Sequence, residues 1–254
     1  MAITKGKPLY YKTVKPVLIN TLNALMRNPV FNSFNLVGGT NLSLRFGHRC
    51  SDDIDLFTDA EYGSLDFAKL EKELAKMFPY FDNPDKSEIV GFGRMYYVGL
   101  NEENAVKLDL MYTDKFISDP ENINGIRFES VNQIAAMKME AINGGGRKKD
   151  WWDIDQLLSI YPFEDLMLLH KKWQPWLHEE EKILDALVDF TKADLEPNPK
   201  CLLGKDWDSI KLHIIRQVEL YTQKVQKRET ALETFNSIKS PTNKPKPKSI
   251  KKAL

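Results

Sequence analysis

The sequence has few cysteines, no long apolar run and no net charge. Cys50 and Cys201 lie far apart and match no metal-ligand spacing, which argues against a disulfide framework or a zinc site and fits a reducing cytoplasm. No apolar run approaches the roughly 20 residues that a membrane-spanning helix needs, and the first residues lack the apolar core of a signal peptide. We therefore expect a soluble protein of the cytoplasm that has no membrane partner.

The charges balance, because 36 Lys and Arg residues face 36 Asp and Glu residues, so net charge indicates no class of partner. With 254 residues, 42% of them hydrophobic and 28% charged, the chain is long enough for one large or two modest globular domains. The segment from Ser237 onward differs, since it is rich in Pro and Lys and has no acidic residue. Such a tail cannot bury apolar surface, so we expect it to be disordered, and its lysines could attract RNA.

Hydrophobic periodicity divides the chain into an α/β half and a helical half. The first half is predicted to contain helices over 13–28, 40–46 and 65–77, and strands over 34–37, 54–57, 88–100 and 105–112. Every later element is predicted to be a helix, over 131–142, 150–160, 163–172, 178–192 and 206–227. Residues 118–125, between the halves, are interpreted as a loop. The predicted architecture is α+β, with an α/β domain over 1–125, a helical domain over 126–236 and a tail over 237–254.

Three aspartates carry the candidate chemistry. Asp53 and Asp55 lie in an apolar strand, and since residues i and i+2 of a strand point to one face, their side chains project together about 7 Å apart. Asp109 belongs to the later alternating strand 105–112. Like charges held in this way are costly unless a cation neutralises them, and Mg²⁺ or Mn²⁺ prefers such hard oxygen ligands. The three aspartates are therefore predicted to be both catalytic and metal-binding.

A glycine pair precedes these acids. Gly38 and Gly39 follow the first strand, and a helix that begins at Thr40 would direct backbone N–H groups and its positive end toward a phosphate. Alone, a Gly-Gly pair is usually only a turn, and an Asp-x-Asp pair is usually a solvated loop pair. Together with a third strand aspartate they fit metal-dependent transfer of a nucleoside monophosphate from an NTP to an acceptor hydroxyl, with release of pyrophosphate.

These motifs resemble a known family. Gly-Gly-Thr followed by Asp-Ile-Asp resembles the signature of DNA-polymerase-beta-like nucleotidyltransferases, and GGTNLSLRFGHRCSDDIDLF (38–57) is similar to the AbiEii/AbiGii nucleotidyltransferase toxins. Three further runs support the resemblance, which covers residues 34–158: VKLDLMY (106–112), QIAAMKMEAI (133–142) and GRKKDWWDIDQLL (146–158).

The resemblance implies a nucleotidyltransferase fold, in which a small mixed sheet is flanked by helices, followed by a helical C-terminal domain. It further implies an enzyme that acts as the toxin of a toxin–antitoxin or phage-defence pair. The implied partners are an NTP, an RNA acceptor such as tRNA, and an antitoxin protein encoded nearby.

The resemblance also assigns roles to polar residues outside the aspartate strands. Thr40, Arg45 and Arg49 match motif positions, which implies that they bind the nucleotide, along with Gly38 and Gly39. His48 falls in the same run, and whether it is structural or functional stays open.

The next motif residue is Lys138. The resemblance implies that this lysine contacts the phosphates at the catalytic site. Its position within an apolar segment equally fits a lysine that merely extends to solvent.

Arg147, Lys149 and Asp150 match the last motif of the family, and Asp153 follows one helical turn later on the same face. The resemblance implies nucleotide binding by the two basic residues and a catalytic role for Asp150. The alternative interpretation is a helix cap accompanied by a surface ion pair.

Two other functions fit the same motifs. A small-molecule nucleotidyltransferase, such as one that modifies an antibiotic, would present an acidic pocket to a cationic substrate, whereas an RNA acceptor calls for a basic cleft. A catalytically inert binding module of the same fold is the second alternative. The presence of Asp53, Asp55 and Asp109 argues against it, because an inactive site has no reason to keep three costly carboxylates.

Overall fold

The computed structural model of the chain describes residues 8–85, 87 and 90–239. Within this part the strands are β1 (Asn35–Leu36), β2 (Asp53–Thr58), β3 (Tyr80–Asp82), β4 (Gly93–Gly99), β5 (Ala105–Tyr112), β6 (Glu121–Ile123) and β7 (Ile126–Phe128). They form one mixed sheet in the order β3-β4-β5-β2-β1-β7-β6, in which β2 pairs in parallel with β5 and β1 with β7. The predicted α+β architecture is confirmed.

The helices of the first half are α1 (Pro16–Arg27), α2 (Gly38–Phe46) and α3 (Phe67–Met77). The second half contains α4 (Val131–Asn143), α5 (Lys148–Leu157), α6 (Phe163–Trp173), α7 (Glu180–Val188), the single turn α8 (Thr191–Asp194) and α9 (Trp207–Lys239). Across the described residues, no helix combines the length and the apolar character needed to cross a membrane.

One core lies between the sheet and the helices α1 and α3, and it fixes the register of the central strands. Ile54, Leu56, Leu108 and Leu110 are fully buried on this face of β2 and β5. Each fully buried leucine contributes about 2 kcal/mol. A one-residue slip would exchange these leucines for the aspartates on the opposite face, so the apolar face determines where the acids lie.

A second core joins the two halves of the chain. Val37 and Leu42, beside and within α2, pack with the apolar residues of the C-terminal helices, and α2 contacts β2 on one side and α4 and α5 on the other. The backbone also links the halves, since Cys50 N donates to Lys200 O at 2.9 Å and Leu202 N donates to His48 O at 2.9 Å. The helical half therefore buttresses the segment between α2 and β2.

The predicted loop over 118–125 was wrong, because it contains β6 and the turn of a hairpin with β7. Asn124 and Gly125 adopt φ angles of 53° and 85°, the left-handed conformation that a tight hairpin turn requires. Asn-Gly is a strong hairpin signal that the sequence interpretation passed over. β7 pairs with β1, so the sheet continues three residues beyond residue 125, and the division into domains stays a prediction.

The last helix also differs from its prediction. α9 continues to Lys239, beyond the predicted end at 227 and into the first residues of the predicted tail. The rest of the tail lies outside the described residues.

Candidate active site

The three predicted aspartates project from one face of the sheet. In the parallel pairing of β2 and β5, Asp55 lies opposite Asp109, and Asp53 lies opposite Lys107. Residues in register on neighbouring strands share a face, and this face is the one turned away from the first core. We call Asp53, Asp55, Asp109 and Lys107 the acid face.

Asp55 lies against Gly38, the first residue of α2. A Cβ atom added to Gly38 would stand 2.1 Å from Asp55 Oδ2, and Gly38 has a φ of 68°, so only glycine fits there. Burial, followed by the charge of Asp109, raises the pKa of Asp55 to about 6, against the opposing charges of Lys138 and Lys149. Ionised Asp55 therefore lacks sufficient counter-charge, which a bound cation would supply.

Two lysines partly neutralise the other acids. Lys107 Nζ donates to Asp109 Oδ2 at 2.5 Å, and Lys149 Nζ donates to Asp53 Oδ2 at 3.1 Å. Asp109 Oδ1 is buried and has no hydrogen-bond partner among the described residues. Three carboxylates and two ammonium groups leave one negative charge uncompensated.

The expected three-carboxylate metal site differs from the arrangement found. No three His, Cys, Asp or Glu side chains of the described segments are gathered closely enough to hold a metal ion, and Asp53 is directed to Lys149 instead. Asp55 and Asp109 still fit a divalent cation, because Mg²⁺ commonly takes one or two carboxylates and completes its shell with water and phosphate oxygens. The unpartnered Oδ1 of Asp109 supplies a ligand atom with no other role.

The helix α2 begins beside these acids, at Gly38. Its first backbone N–H groups have no acceptor within the helix, so they and the helix dipole suit an anion. Thr40 is fully buried, and its hydroxyl bonds to Ser51 Oγ at 2.9 Å and to the backbone carbonyl of Asp53. The Thr40 hydroxyl therefore holds β2 in place and does not face a nucleotide, which leaves only its backbone N–H for the predicted role.

A second group of charged residues lies beside Gly39 in the first turn of α2. We call it the buried ion cluster, and its members are His48, Arg49, Lys138, Asp150 and Asp153. Arg49 Nε and Nη2 each donate to one oxygen of Asp153 at 2.7 Å. Lys138 Nζ lies 2.6 Å from Asp150 Oδ1 and 2.7 Å from Asp153 Oδ2. His48 Nε2 also lies 2.7 Å from Asp153 Oδ1.

Opposite charges dominate this cluster. Burial alone would raise the pKa of Asp153, but the charges of Arg49 and Lys138 and the hydrogen bonds to His48 and Arg49 hold it well below its usual range. Burial would likewise lower the pKa of Lys138, and the charges of Asp153 and Asp150 raise it instead. All five residues are buried. Asp153 and Lys138 are therefore ionised, and within the cluster the two cations Arg49 and Lys138 face the two carboxylates of Asp150 and Asp153.

This geometry bears on three of the predicted site residues. Arg49 and Lys138 were expected to contact the nucleotide, yet carboxylates of the chain occupy both cations. Asp150 accepts a hydrogen bond from the backbone N–H of Arg147 at 2.9 Å and so caps α5. It also accepts from Lys138, and this ion pair is buried, whereas the alternative interpretation expected an ion pair at the surface. Lys138 does lie near enough to Asp55 to lower its pKa, which links the cluster to the acid face.

The two remaining arginines lie elsewhere. Arg45 donates to Asn41, to Glu121 and to the carbonyl of Glu129, and its guanidinium lies 4.9 Å from the centre of the Phe128 ring. Seven residues of helix separate it from the start of α2, a rise of about 10 Å. The structure thus does not bring Arg45 to the acids.

Arg147 is largely exposed at the start of α5, with Nε 4.0 Å from Glu196 Oε1. Lys149, two residues later, is the basic residue of the last motif that contacts the acid face, through Asp53.

The sequence interpretation missed Lys107. The signal was present, because Lys107 precedes Asp109 by two residues in an alternating strand and must share its face.

Comparisons with known proteins agree with this fold and show the family. The profile of the family described as nucleotidyl transferase AbiEii toxin, type IV toxin–antitoxin system, matches residues 20–234. An uncharacterised protein of Aquifex aeolicus (strain VF5) is 31% identical over 207 residues, which make up 76% of this chain and 90% of that protein.

Two solved structures from Helicobacter pylori share the fold. The protein JHP933 is 20% identical with a TM-score of 0.53, and the match covers 86% of this chain and 94% of JHP933. A second protein is 18% identical with a TM-score of 0.51, and the match covers 83% of this chain and 93% of that one.

Proposed function

The chain belongs to the AbiEii family of nucleotidyltransferase toxins, and from that premise we propose that it transfers a nucleoside monophosphate from an NTP to a hydroxyl group of RNA with the help of a divalent metal ion. One observation carries the proposal. Asp55 and Asp109 lie side by side at the start of α2, where one carboxylate oxygen has no partner and the other carboxylate has a raised pKa. A divalent metal ion would supply the missing positive charge, and the free N–H groups of α2 suit the phosphates of a bound NTP.

Asp55 and Asp109 would hold Mg²⁺ or Mn²⁺, with Asp53 joining them if it exchanges Lys149 for the metal. When bound, the metal lowers the pKa of the attacking hydroxyl and stabilises the pyrophosphate that leaves. The carboxylate of Asp109 would also help to deprotonate that hydroxyl, through the oxygen that does not bind the metal, as the new O–P bond forms and the bond to pyrophosphate breaks.

The phosphates would be bound by backbone and lysine donors. The N–H groups of Gly38, Gly39 and Thr40 form the first turn of α2 beside Asp55. Lys149 reaches the same place from α5 and can exchange Asp53 for a phosphate oxygen. The buried ion cluster would act through position, because Lys138 and Arg49 hold α4, α5 and the segment between α2 and β2 together behind the site.

An RNA acceptor fits the charges at the rim better than a cationic small molecule. The helical half contributes Lys149 to the acid face, and Arg147, whose side chain is 65% exposed, lies two residues before it at the start of α5. An antibiotic that carries amino groups would need carboxylates at this rim instead. In the proposed toxin–antitoxin pair, an antitoxin encoded nearby counteracts the modification of RNA.

The test is incubation with each radiolabelled NTP and total cellular RNA. We expect label from one NTP in a discrete RNA band, lost when EDTA removes the metal and lost in Asp55→Asn. Asp52→Asn is the matched control, because Asp52 is the neighbouring acid, is 66% exposed and, among the residues that the structure describes, forms its ion pair with Lys15 alone. Transfer that continues in EDTA would contradict the proposed metal dependence. Label on aminoglycosides, with none on RNA, would contradict RNA as the acceptor.

A further inference from the structure

Lys107 lies within the acid face, where no nucleotide or metal role has been assigned to it. It stands beside Asp53 on β2 and beside Tyr97 on β4, two residues before Asp109. Its side chain is 31% exposed, and Nζ donates to Asp109 Oδ2. A cation of the chain therefore occupies one side of the carboxylate that is best suited to a metal ion.

The ammonium group of Lys107 is charged in this position. Burial alone would lower its pKa, but the hydrogen bond to Asp109 and the charges of Asp109, Asp55 and Asp53 outweigh that effect and raise it. Lys107 therefore interacts with all three acids and offsets part of their mutual repulsion.

The balance of charge changes when a metal binds. The acid face with Lys149 carries three negative and two positive charges, so a divalent ion alone would leave a net charge of about +1. A triphosphate would then add its own negative charges. Each step favours movement of an ammonium group, first away from the carboxylates and then toward the phosphates. The flexible stem of lysine allows such a movement.

We propose that Lys107 is a resident counter-ion, which holds Asp109 in the absence of a divalent metal, competes with that metal for the carboxylate, and turns to the triphosphate when metal and nucleotide are bound. Without nucleotide, Lys107 is thus a positioning residue for Asp109, and with metal and nucleotide bound it contacts the phosphates. This inference rests on the proposed function, because it assumes that Asp55 and Asp109 are the metal ligands.

The test compares Lys107→Met and Lys107→Gln, which remove the charge, with Lys107→Arg, which keeps it. Mn²⁺ binding to the full chain without nucleotide is measured by isothermal titration calorimetry. We expect the two neutral variants to bind Mn²⁺ about tenfold more tightly than the wild type, because one competing charge is gone. Lys107→Arg should bind as the wild type does. Lys15→Met is the control, since Lys15 is 74% exposed and forms its ion pair outside the acid face.

Two further measurements complete the test. In EDTA the melting temperature of the neutral variants should lie a few degrees below that of the wild type. Addition of Mg²⁺ should raise the melting temperature of the neutral variants by more than it raises that of the wild type. With saturating Mg²⁺, the KM for NTP should increase in the neutral variants. An unchanged KM would overturn the transfer of Lys107 to the triphosphate.

Failure of this inference can be told apart from failure of the proposed function. Asp55→Asn and Asp109→Asn should abolish most Mn²⁺ binding; if they leave it unchanged, the metal site and the proposed function are both wrong. If they abolish it while Lys107→Met and Lys107→Gln leave Mn²⁺ affinity unchanged or weaker, the metal site stands. Lys107 then only forms a structural ion pair with Asp109 on the same strand.

Discussion

The acid face and the buried ion cluster both combine aspartates with basic side chains, yet their charges are balanced in opposite ways. In the cluster, Asp153 accepts hydrogen bonds at both oxygens and its pKa is lowered. On the acid face, the perturbation of the Asp55 pKa comes from burial and charges, with no hydrogen bond contributing, and the pKa is raised. A satisfied set of charges fixes helices in place, whereas an unsatisfied set is suited to bind what it lacks.

The largest expected effect is on stability, in the cluster. Asp153→Asn removes the charge that Arg49 and Lys138 share, and two buried cations lose their compensation. We expect the free energy of unfolding to decrease by about 3–5 kcal/mol, measured by urea denaturation. Asp52→Asn should change it by less than about 0.5 kcal/mol. If Asp153→Asn keeps its stability and loses only NTP binding, the cluster contacts substrate and the contrast between the two regions disappears.

The second prediction concerns the acid face and has the opposite signature. Asp55→Asn should lower the rate of nucleotidyl transfer at least about 100-fold, because one charge at the metal site is lost. Its stability should remain equal or increase, since one member of a repelling pair is neutralised. Single-turnover rates and thermal unfolding of the same preparation test both statements. Expression without the antitoxin should also no longer arrest growth; equal toxicity of wild type and variant would exclude catalysis as the cause.

A third prediction separates two residues that the sequence placed in one class. Lys149→Met should raise the KM for NTP about tenfold, because a charged donor to phosphate is lost. Arg45→Met should leave KM within about twofold and reduce stability by about 1 kcal/mol, since Arg45 binds within the fold. Steady-state kinetics over a range of NTP concentrations distinguishes them. Equal effects of the two substitutions would mean that the nucleotide extends to the far end of α2.

The smallest expected effect is on the pH dependence of stability without metal. The pKa of Asp55 is about 6 in the folded chain and near its ordinary value when unfolded, so the folded state binds the additional proton. Stability should therefore increase as pH falls from about 7 to about 5, by about 1 kcal/mol after screening by solvent. Asp55→Asn should lack this contribution. The same slope in wild type and Asp55→Asn would show that Asp55 does not titrate in this window.

Local periodicity made the acid face predictable. Asp53, Asp55 and Asp109 alternate with buried apolar residues, and a period of two fixes the face on which they lie. The cluster could not be read in this way, because Arg49 and Asp153 are 104 residues apart and only the tertiary fold brings them together. Arg45 and Arg49 looked equivalent in the sequence, because both are basic residues of one motif. In the fold they have different neighbours, since α2 ends at Phe46 and only Arg45 belongs to the helix.

The pairing of residues 48–50 with residues 200–202 has a consequence for the synthesis of the toxin. The strands that carry the aspartates are complete once residue 112 has been made. The segment that carries Arg49 gains its backbone partner only about 90 residues later, and such long-range contacts form slowly during folding. A nascent or prematurely terminated chain that lacks this partner should be inactive. Activity is thus expected to arise only after most of the chain has been made.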